Sequence, residues 1–213
     1  MAASMPCWPE ARPTHRKRDS VEYWLERPSI SCEVIAKLMT SILLPPRVET
    51  RSGGLTVTFA LSSILHPDLV KVPLEGTTKR ETIDELCTLL CSSDSIQDPE
   101  NFRRTVWDRE GQRSTGIGEG LAIPHGKCAG VREITMAIGL PTEPIEFDSI
   151  DGRPVKMIVL LASPANRIAD HIQALGRISK FMADPTIRER AFDAPDAESL
   201  YELLAGLDTA TRS

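Results

Sequence analysis

The chain has 213 residues, 41% of them hydrophobic, which supports one ordinary domain with a real core plus additional material. Its net charge of −5 is uneven: residues 1–62 carry 8 Lys/Arg against 6 Asp/Glu, and residues 63–213 carry 17 against 24. An acidic domain argues against nucleic-acid binding; it suits either a basic protein partner steered by charge or plain solubility. The longest mostly apolar stretch, Leu55 to Leu65, is too short to cross a bilayer, so no membrane insertion is expected. Residues 1–20 hold three prolines and several charges and do not read as a signal peptide. The five cysteines show no CxxC spacing, and a reducing cytoplasm is the expected compartment.

Taken in chain order, residues 1–60 differ from the rest. Pro6, Pro9, Pro13, Pro28, Pro45 and Pro46 interrupt them, and Arg16-Lys17-Arg18 forms a short basic cluster. Only Ser31 to Leu44 has the makings of a marginal helix. The segment reads as a disordered extension, and Met39 offers an alternative translation start. Residues 61–208 read as one globular domain, with 209–213 as a tail. Leu65 to Leu74 suits an extended segment. Thr77 or Thr78 caps a helix through Ile83, Leu86, Leu89 and Leu90, and Pro99 opens a second helix over about 99–110.

Beyond the second helix, Glu133 to Leu140 and Val155 to Ala162 are β-branched-rich runs of strand length, with Asp151-Gly152 as a turn between them. A helix over about 167–183 follows, with apolar positions Ile168, Ile172, Leu175, Ile178 and Met182, and a last helix spans about 196–206. The expected architecture is α/β, a mixed β-sheet covered by helices on both faces. Cys87 and Cys91, four apart on a helix, read as buried small apolar residues.

The most informative segment is Ser114-Thr115-Gly116-Ile117-Gly118-Glu119-Gly120-Leu121-Ala122-Ile123-Pro124-His125-Gly126-Lys127. Alternating glycines permit unusual backbone angles and close approaches, and Pro124 fixes its own φ while pushing Ile123 toward extended backbone. The pattern predicts a strand end presenting one rigidly placed imidazole, with little bulk around it. It is neither GxGxxG nor a phosphate-cradling loop ending in Gly-Lys-Ser/Thr, and there is no GxSxG elbow. His125 and His171 lack a third residue at metal-ligand spacing, so neither cofactor nor metal is expected.

This segment, with Arg109-Glu110 ahead of it, resembles the active-site stretch of the enzyme IIA domains of the bacterial phosphoenolpyruvate-dependent sugar phosphotransferase system, in the fructose/mannitol and nitrogen-regulatory branch. The family pattern runs approximately Arg-Glu, a few residues, then Ser-Thr-Gly-x-Gly-x-Gly-Ile-Ala-Ile-Pro-His-Gly. The similarity covers about Ser63 to Leu207. The family often has Asn between the last two glycines where this chain has Glu119, an added negative charge six residues before the histidine.

The resemblance implies a phosphotransferase component, with His125 as the phosphoryl acceptor. His171, which periodicity alone places in a buried stripe, is implied as the second active-site imidazole. Arg109 is implied as the phosphoryl-binding arginine, with Arg113 as its neighbouring competitor. Ser114 and Thr115 either add hydroxyl donors to the phosphate or serve only the turn. The implied partners are the phosphocarrier protein HPr as donor, and an enzyme IIB domain or regulatory target proteins as recipient; a homodimer is a further possibility. Two other classes compete: a non-catalytic interaction domain of the same fold, separable by incubation with phosphoenolpyruvate, enzyme I and HPr, and a metal-dependent hydrolase, separable by metal analysis.

Overall fold

A computed structural model describes residues 60–210, with side chains to 207. The expectations for residues 1–59 and 211–213 lie outside the described residues. A 3-10 turn, Leu61–Ser63, leads into β1 (Leu65–Leu74), α1 (Lys79–Cys91) and α2 (Pro99–Gln112). The glycine run forms β2 (Gly116–Gly118), β3 (Leu121–Ala122) and β4 (His125–Cys128). β5 (Thr135–Pro141), β6 (Met157–Pro164), α3 (Ile168–Ala183), α4 (Pro185–Phe192) and α5 (Ala197–Ala210) complete the chain.

Local chemistry explains the boundaries. The Thr78 side chain accepts from the Glu81 amide and the Glu81 carboxylate reaches back to the cap, a reciprocal arrangement that stabilises α1 by about 1 kcal/mol. Asp98 caps α2 ahead of Pro99, and Asp184 caps α4 ahead of Pro185. α4 was not expected. Its Asp-Pro start is a readable signal, but only Ala191 of its eight residues is buried, so no apolar period marks it.

The six strands form one mixed sheet in the order β1-β5-β6-β3-β2, with β4 also paired to β6. β1 runs parallel to β5, β5 antiparallel to β6, and both β3 and β4 run parallel to β6. Thus β3 and β4 ride on the same edge of β6, separated by Ile123 and Pro124. The Leu161 amide donates to the Pro124 carbonyl across that gap.

All residues of β6 are buried, because both faces of the sheet are covered. Met157, Val159 and Leu161 pack with Ile178, Phe181, Met182, Ala191, Leu200 and Leu204, so α3, α4 and α5 cover one face. Ile158, Leu160 and Ala162 pack with Ile83, Leu86, Leu90, Phe102 and Val106, so α1 and α2 cover the other. Each fully buried aliphatic or aromatic side chain contributes roughly 1.5–3 kcal/mol. The helices-on-both-faces architecture agrees with the sequence reading.

The apolar stripe of α3 differs from expectation. Ile168 is 53% and Ile172 38% exposed, while His171, Ala174, Ile178, Phe181 and Met182 are buried. The spacing of apolar residues fits two overlapping helix faces. Packing selects the one that turns His171 inward at the first turns of the helix.

Candidate active site

The site begins with the glycine run. Gly118 and Gly120 adopt φ of +93° and +78°, values that side chains disfavour, and they turn the β2–β3 hairpin tightly at Glu119. Further along, Gly126 lies under α2. A Cβ there would sit 3.0 Å from Val106 Cγ2 and 3.3 Å from Phe102 Cε2, so glycine lets the helix press onto β4. The neighbouring His125 and Lys127 project to the opposite side of the strand by its two-residue period.

His125 is half-buried, and its Nδ1 lies 2.8 Å from the carbonyl oxygen of Ile123, two residues back along the chain. A carbonyl only accepts, so Nδ1 carries the proton and donates. In the neutral ring, Nε2 then keeps its lone pair. Burial lowers the His125 pKa below its usual value, and the positive charges of Arg109 and Lys127 lower it further. The Ile123 hydrogen bond and the Glu110 carboxylate pull the other way. A neutral imidazole at neutral pH follows, which is the form a nucleophile needs.

His171 comes from α3 on the same side. The two rings have centroids 5.2 Å apart and are inclined at 60°. His171 is only 3% exposed, and the buried Ser163 hydroxyl at the end of β6 lies 2.8 Å from its Nδ1. Burial, then the neighbouring His125 and Lys127, push its pKa down to about 4. When the Ser163 hydroxyl donates to Nδ1, the ring proton of neutral His171 sits on Nε2, available to an acceptor.

Arg109 stands in the last turn of α2, where its Nη1 donates to the Arg113 carbonyl at 2.8 Å. That bond ties the guanidinium to the chain end leading into Ser114. Arg113 itself is exposed and caps the helix in extended backbone. Arg109 is the arginine whose charge acts on His125.

The hydroxyls of Ser114 and Thr115 both donate to protein groups. Ser114 Oγ donates to the Phe147 carbonyl, and Thr115 Oγ1, buried, donates to the Glu110 carboxylate. Glu110 is the organising group. It accepts from the Thr115 amide at 3.2 Å and pairs with Lys79 Nζ at 2.6 Å, while Lys79 also donates to the Phe147 carbonyl at 3.1 Å. This network pins the end of α2 against the start of the glycine run.

Sequence reasoning passed over Lys127 and Lys79. Lys127 was findable, because a strand places residues i and i+2 on one face. Lys79 was not, since it lies far from Glu110 along the chain. Glu119, the added negative charge of the glycine run, faces elsewhere. Its carboxylate meets Arg188 at 3.3 Å and Arg153 at 3.5 Å, at the far end of the hairpin. Among the described residues, no three His, Cys, Asp or Glu side chains gather as a metal site would need.

A sandwich of this topology, with two neutral imidazoles and two cations at one strand end, defines a phosphoryl-handling domain of the enzyme IIA class. The family profile described as phosphoenolpyruvate-dependent sugar phosphotransferase system, EIIA 2, matches residues 63–206, and the chain belongs to that family. It is 33% identical over 149 residues to the nitrogen regulatory protein of Escherichia coli, covering 69% of this chain and 90% of that one. It is 29% identical over 145 residues to the fructose-specific EIIA component of Haloferax volcanii, covering 68% and 94%.

The match to the fructose-specific EIIABC component of Bacillus subtilis, at 29% identity over 144 residues, spans 68% of this chain but 23% of that protein. Nitrogen regulatory protein IIA-Ntr from Neisseria meningitidis superimposes with a TM-score of 0.63 at 31% identity, covering 68% of this chain and 98% of that one. The enzyme IIA of a mannitol IIA–phosphorylated IIB complex from E. coli shares the fold, with a TM-score of 0.59 at 22% identity over 67% and 99% of the two chains. Among the described residues no helix is long and apolar enough to cross a membrane.

Proposed function

We propose that the protein is a cytoplasmic phosphoryl carrier that accepts phosphate from HPr on Nε2 of His125. It then passes the phosphate to an enzyme IIB domain or signals its phosphorylation state to regulatory targets. The observation that carries this reading is the Nδ1–H of His125 held on the Ile123 carbonyl, which leaves Nε2 as the nucleophile. The Nε2 lone pair forms the new N–P bond as the donor's N–P bond breaks, and that bonding pair returns to the donor imidazole. The proton stays on Nδ1, hydrogen-bonded to the Ile123 carbonyl, which offsets positive charge on the phosphorylated ring.

Arg109 and Lys127 act on the phosphoryl oxygens, where a loose transition state spreads negative charge. His171 offers its Nε2–H to one of those oxygens and orients His125. Glu110, Ser114 and Thr115 hold the segment in place. Relatives that match over nine-tenths of their own length include nitrogen regulatory proteins and a fructose EIIA component, so both outputs stay within the proposal.

The test is labelling of the whole chain with phosphoenolpyruvate, enzyme I and HPr. Wild type should label, and His125→Ala should not, with its circular dichroism unchanged. A His125→Ala protein that still labels on histidine would overturn the assignment. A wild type that never labels would favour an interaction domain that has kept the fold alone.

A further inference from the structure

At the tip of the β2–β3 hairpin, well away from the imidazoles, lies a cleft of about 310 Å³ lined in part by Glu119, Arg153, Lys156, Arg188 and Phe192. Leu121 pairs with Met157 of β6, and His125 with Leu161, so the cleft and the histidine stand about 13 Å apart along the strand. None of the charges that act on His125 belongs to the cleft.

Two of its three cations meet at one point. Arg188 Nη2 and Arg153 Nη1 approach the same oxygen, Oε2 of Glu119, at 3.3 and 3.5 Å. The Arg188 side chain is only 13% exposed, and its Nη1 donates to the Met182 carbonyl at 3.0 Å, so its guanidinium is fixed in advance. The Lys156 ammonium stands 5.5 Å from the centre of the half-buried Phe192 ring. Glu189 adds a second carboxylate to the lining.

Glu119 is held in this place by its backbone. It is a non-glycine residue at φ +53°, and its amide donates to Asp151 Oδ2 at 2.8 Å. A left-handed conformation at a side chain of this size is disfavoured, and the flanking glycines and Asp151 enforce it. The result is a carboxylate delivered by the hairpin to the fixed Arg188 guanidinium and to the exposed Arg153, which also lies 3.9 Å from Asp151 Oδ2.

We propose that this cleft binds a small phosphomonoester carrying a planar ring, and that Glu119 is the internal anion such a ligand displaces. Two guanidinium groups meeting at one oxygen match a phosphoryl group, whose several oxygens engage both forks more fully than a single carboxylate oxygen does. Lys156 supplies the third cation. The Phe192 ring, over which the Lys156 ammonium sits in this structure, gives an apolar wall for the organic part once Lys156 turns to the phosphoryl group, and the volume sits at the lower end of those that hold small ligands.

Amide chemical shifts of the whole chain, titrated with adenosine monophosphate, give the test. The expected result is a saturable shift at Glu119, Gly120 and Lys156, unchanged in His125→Ala. Ribose 5-phosphate, which lacks the planar base, should bind the same residues more weakly, and adenosine, which lacks the phosphate, should not saturate. Arg153→Gln should weaken the nucleotide several-fold. Glu119→Gln, which removes the competing internal anion, should tighten it by about two- to fivefold, as expected from the strength of exposed ion pairs. Shifts confined to His125 and Gly126, ribose 5-phosphate binding as well as the nucleotide, or weaker binding in Glu119→Gln would each overturn the proposal.

Discussion

The two helices that flank the histidine strand do opposite things with their surfaces. α2 presses Phe102 and Val106 onto Gly126, is locked below by the Glu110–Lys79 pair, and brings Arg109 to the site from a rigid base. α3 buries His171 in its first turns, yet leaves Ile168 and Ile172 exposed on either side of it. One helix supports the chemistry through contacts already complete. The other leaves apolar surface exposed beside the buried imidazole, the kind of surface that a docking protein could cover. The same strand thus faces a finished interior on one side and exposed apolar surface on the other.

The sharpest test of that contrast is at Arg109, the charge supplied by the rigid side. Arg109→Ala should slow phosphoryl transfer through His125 by on the order of 10²–10³, with melting temperature little changed. Arg109→Lys should recover only part of the loss, because an ammonium lacks the planar fork. Rapid-quench labelling from phosphorylated HPr measures both. Equal rates in wild type and Arg109→Ala would assign the residue to the Arg113 carbonyl alone.

On the other side, the buried imidazole links stability to pH. The His171 pKa, about 4 in the fold, lies below the usual value of 6.5, so the unfolded chain binds more protons between those limits. The fold therefore has its full stability from this group above pH 6.5 and loses it as pH falls toward 4. The total loss is on the order of 3 kcal/mol. Denaturant melts between pH 7 and 4.5 should show this slope, with His125 adding to it, since its pKa is lowered too. In His171→Gln the slope should flatten, while His125 still accepts phosphate and onward transfer is impaired.

How much of this was legible beforehand depended on whether the signal was local. The long apolar runs of β5 and β6, the caps of α1 and α2, and the glycine run are patterns within a few residues, and each element formed where its pattern lay. α4 carries one buried residue, and β3 is two residues long, held between β2 and the edge of β6. The stripe of α3 was read correctly at His171, Ile178 and Met182 but not at Ile168 and Ile172, which look like core in a helical wheel and lie exposed. His125 stood out from its setting. Arg109 and His171 were singled out through the family resemblance, and Lys79 became visible only once the fold brought it to Glu110.

Two smaller effects refine the contrast. Gly126→Ala pushes a methyl against Val106 and should cost about 1–3 kcal/mol in urea unfolding, because the α2 side has no room to yield. A neutral Gly126→Ala would show that α2 stands off the strand. Ile172→Ser, on the open side, should shift stability by less than about 0.5 kcal/mol. It should raise the KM for phosphorylated HPr a few-fold while leaving the maximal transfer rate unchanged. A loss of stability without a change in KM would place that surface inside the fold rather than at an interface.

The gap between β3 and β4 has one more consequence. The group that fixes the His125 tautomer is a main-chain carbonyl, that of Ile123, and every amino acid has one. Substitution at position 123 can alter packing but cannot remove the acceptor. The protonation pattern of the His125 ring is thus written into the course of the polypeptide rather than into any side chain. Only a change in chain path, through Pro124 or an insertion beside it, would erase it.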